Sequence, residues 1–282
     1  MNLVDFATLI RAHDGVDAFN EASRLAFAGE RPGRVELVVT DGPQITAAAF
    51  APETGPVPAP VELAVHPDRR RHGHGTDLLD RLIAAGETRF WAHGDLTGAQ
   101  GLAVQADLVA DRTLLVLRRD NRSVPDDTSK PEWTIRPFQT ADVAAIVDVN
   151  RRAFADHPEQ GAMDSAEFTA RSAADWFDPQ GLLVVEVGGE IAGFHWTKVE
   201  HGVGEVYVAA VDPKHQGIGL GRALLIHGLR HLAHRGVSAV DLYVERDNQS
   251  ARELYSGLGF AERSRDVLYV SKTPAATAPA PS

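Results

Sequence analysis

Apolar positions along this chain change period at a few well-marked places, and those changes outline its elements. In the second half, the apolar runs 182–187 and 191–198 flank Gly188 and Gly189, the two-residue spacing of a β-hairpin. Residues 133–138 read as a strand, and Thr140 is placed to cap a helix through Phe154 with Val143, Ile146, Val147 and Asn150 on one face. A second helix is expected over 165–176. A strand over 205–211 leads into a glycine-rich turn and a helix to residue 234; a strand over 240–244, a short helix over 249–258 and a last strand around Leu268 follow. This β-α-α-β-β-β-α-β-α-β order predicts an α/β domain, a mixed sheet with helices on its faces. The first half repeats the middle of the pattern, with strands over 34–40 and 44–51 and a third from Val61.

The repeat is explicit around the turn. Residues 65–75 align without a gap on residues 211–221, each segment following an apolar strand-like run and preceding a helical pattern. An offset of 146 residues is too long for a solenoid, so it denotes two copies of one domain. The expected division is a first domain over 1–122, a polar, proline-bearing linker over 123–132, a second domain over 133–272 and a low-complexity, disordered tail over 273–282.

Composition narrows the classes of partner. The chain of 282 residues carries a net charge of −11, which argues against nucleic acid and suits a polar or cationic small molecule. The absence of cysteine removes thiolate metal sites and Cys nucleophiles. His157 and His195 stand without a second ligand at zinc spacing, so no metal is expected. No apolar run approaches a membrane span and no signal peptide is evident, which makes the cytoplasm the expected compartment.

The turn itself, Gln216, Gly217, Ile218, Gly219, Leu220 and Gly221 followed by Arg222, has the chemistry of an anion site. Its glycines let the backbone approach a ligand, and the following helix offers free N–H groups and a positive dipole end. It matches neither the dinucleotide fingerprint nor a Walker A loop. On the glycines alone, a tight strand-to-helix turn without a ligand stays open.

Residues 208–224 resemble motif A of the GNAT acetyltransferase superfamily, and Asp247, Asn248, Ala251, Tyr255, Gly259 and Phe260 resemble its motif B. The segments 90–94, 157–161, 176–179, 193–198 and 204–208 are similar to the mycothiol synthase family of actinomycetes, over nearly the whole chain. The resemblance implies two tandem GNAT domains, each a mixed, mainly antiparallel sheet with helices on both faces and a V-shaped splay between central parallel strands. It also implies acetyl transfer from acetyl-CoA to the cysteinyl amine of Cys-GlcN-inositol, with no metal. Acetyl-CoA is expected on Ala209, Ala210 and Val211 for the pantetheine, on residues 216–222 for the phosphates, and on Asn248, Ala251 and Arg252 for the rest of the arm. On this resemblance Glu205 is the general base and Tyr255 the general acid; by position alone Glu205 reads as a solvated strand-end carboxylate, and a core aromatic is the alternative for Tyr255. The resemblance assigns the acceptor to Glu21, Asp164, Lys198, Glu205 and Tyr243, although Lys198 also fits a surface lysine lying along apolar side chains.

The first half departs from the motifs. Leu63, Ala64, Val65, Arg70, Arg71, His72, Gly73, His74 and Gly75 retain an acetyl-CoA-like turn, with arginines suited to phosphate or simply to solvent. Its motif B region, 97–108, has no tyrosine. Binding without turnover is therefore expected there, and a monomer in which two domains form a pseudo-dimer. An acetyltransferase for another amine, or a non-catalytic acetyl-CoA sensor, remain the alternatives.

Overall fold

The computed structural model describes residues 1–27, 29, 33–53, 58–155 and 163–272, so His157 and the expected tail lie outside the described residues. The chain divides into two compact units, Met1–Leu115 with Ser264–Ser282, and Val116–Arg263. The sequence division is contiguous, whereas these units are not. The last strand leaves the second unit because its residues 267–270 pair with a strand of the first, and backbone pairing outranks chain proximity.

The first unit begins with helices α1 (Leu3–Asp14) and α2 (Glu21–Phe27), followed by strands β1 (Gly33–Asp41), β2 (Gln44–Pro52) and β3 (Val61–Val65). Helix α3 (His74–Ala84), strand β4 (Arg89–Ala92), helix α4 (Thr97–Gln105) and strand β5 (Leu108–Asp120) come next, the residues of β5 from Val116 onward belonging to the second unit. Strands β1, β2 and β3 are antiparallel neighbours, whereas β3 and β4 run parallel and pair only at Val61–Phe90 and Glu62–Trp91. Apolar side chains on the two faces of β2 serve two clusters: Ala48 and Phe50 with Phe6, Ile10 and Phe19, and Ala47, Ala49 and Ala51 with Leu78, Leu79 and Leu82.

In the second unit, β6 (Trp133–Pro137), α5 (Val143–Ala153), α6 (Ser165–Ser172), β7 (Leu182–Val187), β8 (Glu190–Glu200), β9 (Val203–Val211), α7 (Leu220–His234), β10 (Ala239–Glu245) and α8 (Gln249–Ser256) follow the expected order. The final strand is β11 (Ala261–Ser271). Gly188 and Gly189, at φ 62° and 87°, make the expected hairpin turn between β7 and β8. The cap of α5 differs from expectation. A single 3-10 turn over Thr140–Asp142 precedes it, and the Asp142 carboxylate accepts from the Gln139 N–H at 2.7 Å, so Thr140 is not the cap. Helix α6 is also shorter than expected, since the chain leaves it to carry Trp176 and Phe177 onto the core around Trp196.

One contact between α7 and β8 shows how closely the second unit is packed. His195 is fully buried, and its Nδ1 donates to the Leu224 carbonyl at 3.1 Å. Burial, with His231 nearby, pushes its pKa down to about 4, so the ring is neutral at physiological pH. A Cβ added at Gly228 would stand 2.1 Å from the ring. Gly228→Ala is therefore expected to destabilise by about 1–3 kcal/mol despite the better helix propensity of alanine. A urea midpoint equal to wild type would contradict this.

Candidate active site

The glycine turn is constructed identically in the two units. A single 3-10 turn, Pro67–Arg69 in one and Pro213–His215 in the other, is followed by a left-handed glycine that caps the helix, Gly73 at φ 86° and Gly219 at φ 102°. A side chain with a Cβ is strained at such angles, which is why glycine stands at both places. The first N–H groups of α3 and α7 are thereby left for an anion, and the dipole favours one there. Gln216 closes its turn by donating from Nε2 to the Val211 carbonyl at 3.1 Å. Arg222 reaches the Gly257 carbonyl at 3.2 Å, and Asn248 caps α8 through the Ala251 N–H at 3.1 Å, while Arg252 donates to the Arg246 carbonyl.

Both units also splay their parallel strands. Pairing of β9 with β10 is confined to Gly204–Val240 and Glu205–Asp241, although β9 runs on to Val211 and β10 to Glu245. The freed edge of Ala209, Ala210 and Val211 thus offers backbone hydrogen bonds above a helix N-terminus, a combination that fits an extended, phosphate-ended thioester. In the first unit the same region is a cavity of about 540 Å³ lined by Leu63, Val65, Arg70, Arg71, Trp91 and His93 among others.

Side chains gather at the point where β9 and β10 part. Lys198 on β8 is the cross-strand partner of Glu205, and Asp241 on β10 is its parallel neighbour, so the three form a row on one face of the sheet. Tyr243 lies two residues further along β10, on the same face and half exposed. Arg118 holds Asp241 through two hydrogen bonds of 2.5 and 2.6 Å, which raise the arginine's pKa further, and Arg263 reaches the same carboxylate at 3.3 Å. Lys198 is buried and therefore not a surface lysine. Of the other acceptor residues expected from sequence, Asp164 is exposed and caps α6 through the Glu167 N–H at 2.8 Å, and Glu21 heads α2 in the first unit. Asp241 and Arg118, which pairing and hydrogen bonding bring beside Glu205, were not singled out from the sequence, because strand register leaves no local mark in it.

Tyr255 arrives by a different route. A Cβ added at Gly221 would touch Leu254 Cδ2 at 3.6 Å and Val211 Cγ2 at 3.7 Å, so α8 packs on the first turn of α7 where β9 ends. Tyr255 follows on that helix, its ring edge-on to Phe260, and burial pushes its phenol up to about 12. It stays protonated at neutral pH and can donate.

The equivalent places in the first unit lack both groups. Leu102 lies 3.1 Å from a Cβ added at Gly75, just as Leu254 approaches Gly221, and the residue after it is Ala103. At the 146-residue offset, Ala59 stands where Glu205 does. Glu62, the nearby strand carboxylate, is fully buried and accepts from the Ser23 hydroxyl at 2.6 Å, from the Asn20 N–H at 3.1 Å and from His93 Nε2 at 2.6 Å. The other ring nitrogen of His93 donates to Asp266 at 2.8 Å, and Asp266 also accepts from the Gly94 N–H. Arg70 is engaged as well, bidentate on Asp14 at 2.8 and 2.7 Å, and burial notwithstanding, its hydrogen bonds hold the Asp14 pKa low.

These features define an acetyltransferase of the GNAT type. The Acetyltransferase (GNAT) family matches residues 145–260, and a GCN5-related N-acetyltransferase from Sphaerobacter thermophilus shares the fold at a TM-score of 0.73 and 22% identity, over 95% of this chain and 90% of that one. A tandem GNAT protein from the clavulanic acid biosynthesis pathway shares it at 0.68 and 17% identity, over 95% and 93%. The mycothiol acetyltransferase of Thermomonospora curvata is 45% identical over 93% of this chain and 90% of its own length, and that of Kytococcus sedentarius is 41% identical over 94% and 91%. The chain belongs to the mycothiol acetyltransferase family. Among the described residues no helix is long and apolar enough to cross a membrane, and no three potential ligands cluster as a metal site.

Proposed function

We propose that this protein transfers the acetyl group of acetyl-CoA to the cysteinyl amine of Cys-GlcN-inositol, forming mycothiol, and that the second unit alone carries the chemistry. The observation that supports this most is the Lys198–Glu205–Asp241 row at the mouth of the β9–β10 splay, with no counterpart to Glu205 or Tyr255 in the first unit. The amine loses a proton to Glu205, directly or through water, and attacks the thioester carbonyl. Backbone N–H groups around Ala210 stabilise the oxyanion. As the tetrahedral intermediate collapses the C–S bond breaks, and Tyr255 gives its proton to the departing thiolate. Lys198, Tyr243 and Asp164 recognise the hydroxyl-rich acceptor. The first unit retains the splay and the turn, and binds acetyl-CoA without turnover.

The test is CoA release from acetyl-CoA with Cys-GlcN-inositol beside polyamines, aminoglycosides and peptides. Release with the cysteinyl substrate is expected to exceed that with any other amine by at least about 100-fold in kcat/KM, a difference of about 2.7 kcal/mol. Preference for another amine would discard the acceptor and keep the GNAT class. Acetyl-CoA binding without any release would replace the enzyme by a sensor.

A further inference from the structure

The second unit keeps a lysine in an unusual place. Lys198 is 4% exposed, and lysine is almost never fully buried unless it is partnered. Its Nζ stands 4.9 Å from the centre of the Trp176 ring and 5.6 Å from that of Tyr207, both within cation–π range. The two rings meet edge to face at 4.8 Å and 61°, so they form one corner around the ammonium. Glu200 adds a longer ion pair at 3.5 Å from a more exposed position.

Each ring is held there for its own reason. Tyr207 is the extra residue of a β-bulge: β8 and β9 pair at Trp196–Val208 and again at Thr197–Val206, with Tyr207 left between. A bulge re-aims a side chain, and this one lies against Trp196 at 5.7 Å, with the Arg171 guanidinium 5.8 Å from its centre. Arg171 is steadied by Glu167 one turn back. Trp176 comes from the segment between α6 and β7, and that segment is tied to α7 where Asp178 accepts from His231 at 3.1 Å and from Arg235. A bulge and an anchored loop therefore converge on one cation.

The rings at this corner add to the ion pair with Glu200. The aromatic faces stabilise the charge where it stands. They also restrict a side chain that otherwise carries about 2 kcal/mol of rotamer entropy, so that less ordering remains for the binding step.

We propose that Trp176 and Tyr207 are positioning residues for the acceptor: they hold the Lys198 ammonium on the strand rung opposite Glu205, where it meets the acceptor beside the base. This rests on the reading that Lys198 contacts the acceptor. Trp176 and Tyr207 act through Lys198 and have no part in the transfer itself.

Steady-state kinetics of Lys198→Met, Trp176→Leu, Tyr207→Leu, Trp176→Phe, Tyr207→Phe and the double variant Lys198→Met with Trp176→Leu test it, each with its Tm measured. Cation–π contacts of this kind predict that Lys198→Met raises the acceptor KM about tenfold or more, and the two leucine variants about fivefold or more. The acetyl-CoA KM should stay within about twofold, and the phenylalanine variants should stay near wild type because the π face remains. The double variant should be no worse than Lys198→Met alone, since the rings then have no cation to place. If Lys198→Met raises the acceptor KM while the leucine variants do not, or if the double variant shows the full sum, the clamp is overturned and the acceptor reading stands. Leucine variants that raise both KM values together with a loss of Tm reduce the rings to packing. An unchanged acceptor KM in Lys198→Met overturns the acceptor reading and the clamp together.

Discussion

Glu205→Gln is expected to lower kcat by about 10²–10⁴, the range for removing a positioned general base, while leaving acetyl-CoA affinity within twofold. Glutamine keeps the size and hydrogen-bonding capacity of the side chain and removes only its basicity, so the loss reports proton transfer. The cysteinyl α-amine has an ordinary pKa of about 7–8, so raising the pH delivers more of it already deprotonated. The deficit of Glu205→Gln should therefore shrink between pH 7 and 9, and a pH–rate profile of the variant beside wild type checks both points. A variant within threefold of wild type at pH 7 would remove Glu205 from the chemistry. Tyr255→Phe should cost less, because a thiolate with an ordinary pKa of about 8.5 leaves readily without full protonation. Its phenol, pushed up to about 12 by burial, gives no ionisation of its own below pH 9.

The second large effect concerns the first unit and should be seen in stability. Glu62→Ala leaves the buried His93 imidazolium with one carboxylate and strands the Ser23 hydroxyl, an arrangement expected to cost about 3–5 kcal/mol. Burial alone would push the His93 pKa down, but hydrogen bonds to Asp266 and Glu62, and their charges, carry it up to about 10. A histidine whose pKa is raised on folding contributes stability that is fully present below its unfolded value of about 6.5. That contribution is lost as pH rises through about 10, so the first unit should weaken across this window by an amount on the order of 5 kcal/mol. Hydrogen exchange at the amides of β3 and β4, measured at pH 7 and 9 and corrected for intrinsic rates, reads both effects. His93→Leu should abolish the pH dependence. Equal protection at the two pH values in wild type would show that the imidazole is not held protonated.

Much of the architecture was legible because its determinants are local. The hairpin at Gly188 and Gly189, the turn before α7 and the helix that Asn248 caps each depend on residues within a few positions of one another. The first unit's lack of a motif B tyrosine was equally visible, and its structural counterpart is Ala103. Other features were not. Thr140 is a natural cap by residue type, but the capping carboxylate belongs to Asp142, itself fixed by Arg136. Nothing in the sequence around Glu62 marks its burial against His93.

The sequence by itself therefore determined the two-fold repeat, the order of elements, the glycine turns and the family, since short-range torsional preference, glycine at positive φ and periodic burial are encoded residue by residue. Only the tertiary structure decided which side chains meet. His93 and Asp266 lie 173 residues apart, and Asp127 and Arg230 lie 103 apart. Lys198 and Asp241 flank Glu205 only because β8, β9 and β10 pair in one register. The physical reason is that register follows from burial and hydrogen bonding summed over whole strands. A shift of one residue would turn every side chain to the opposite face, so no short segment holds that information alone.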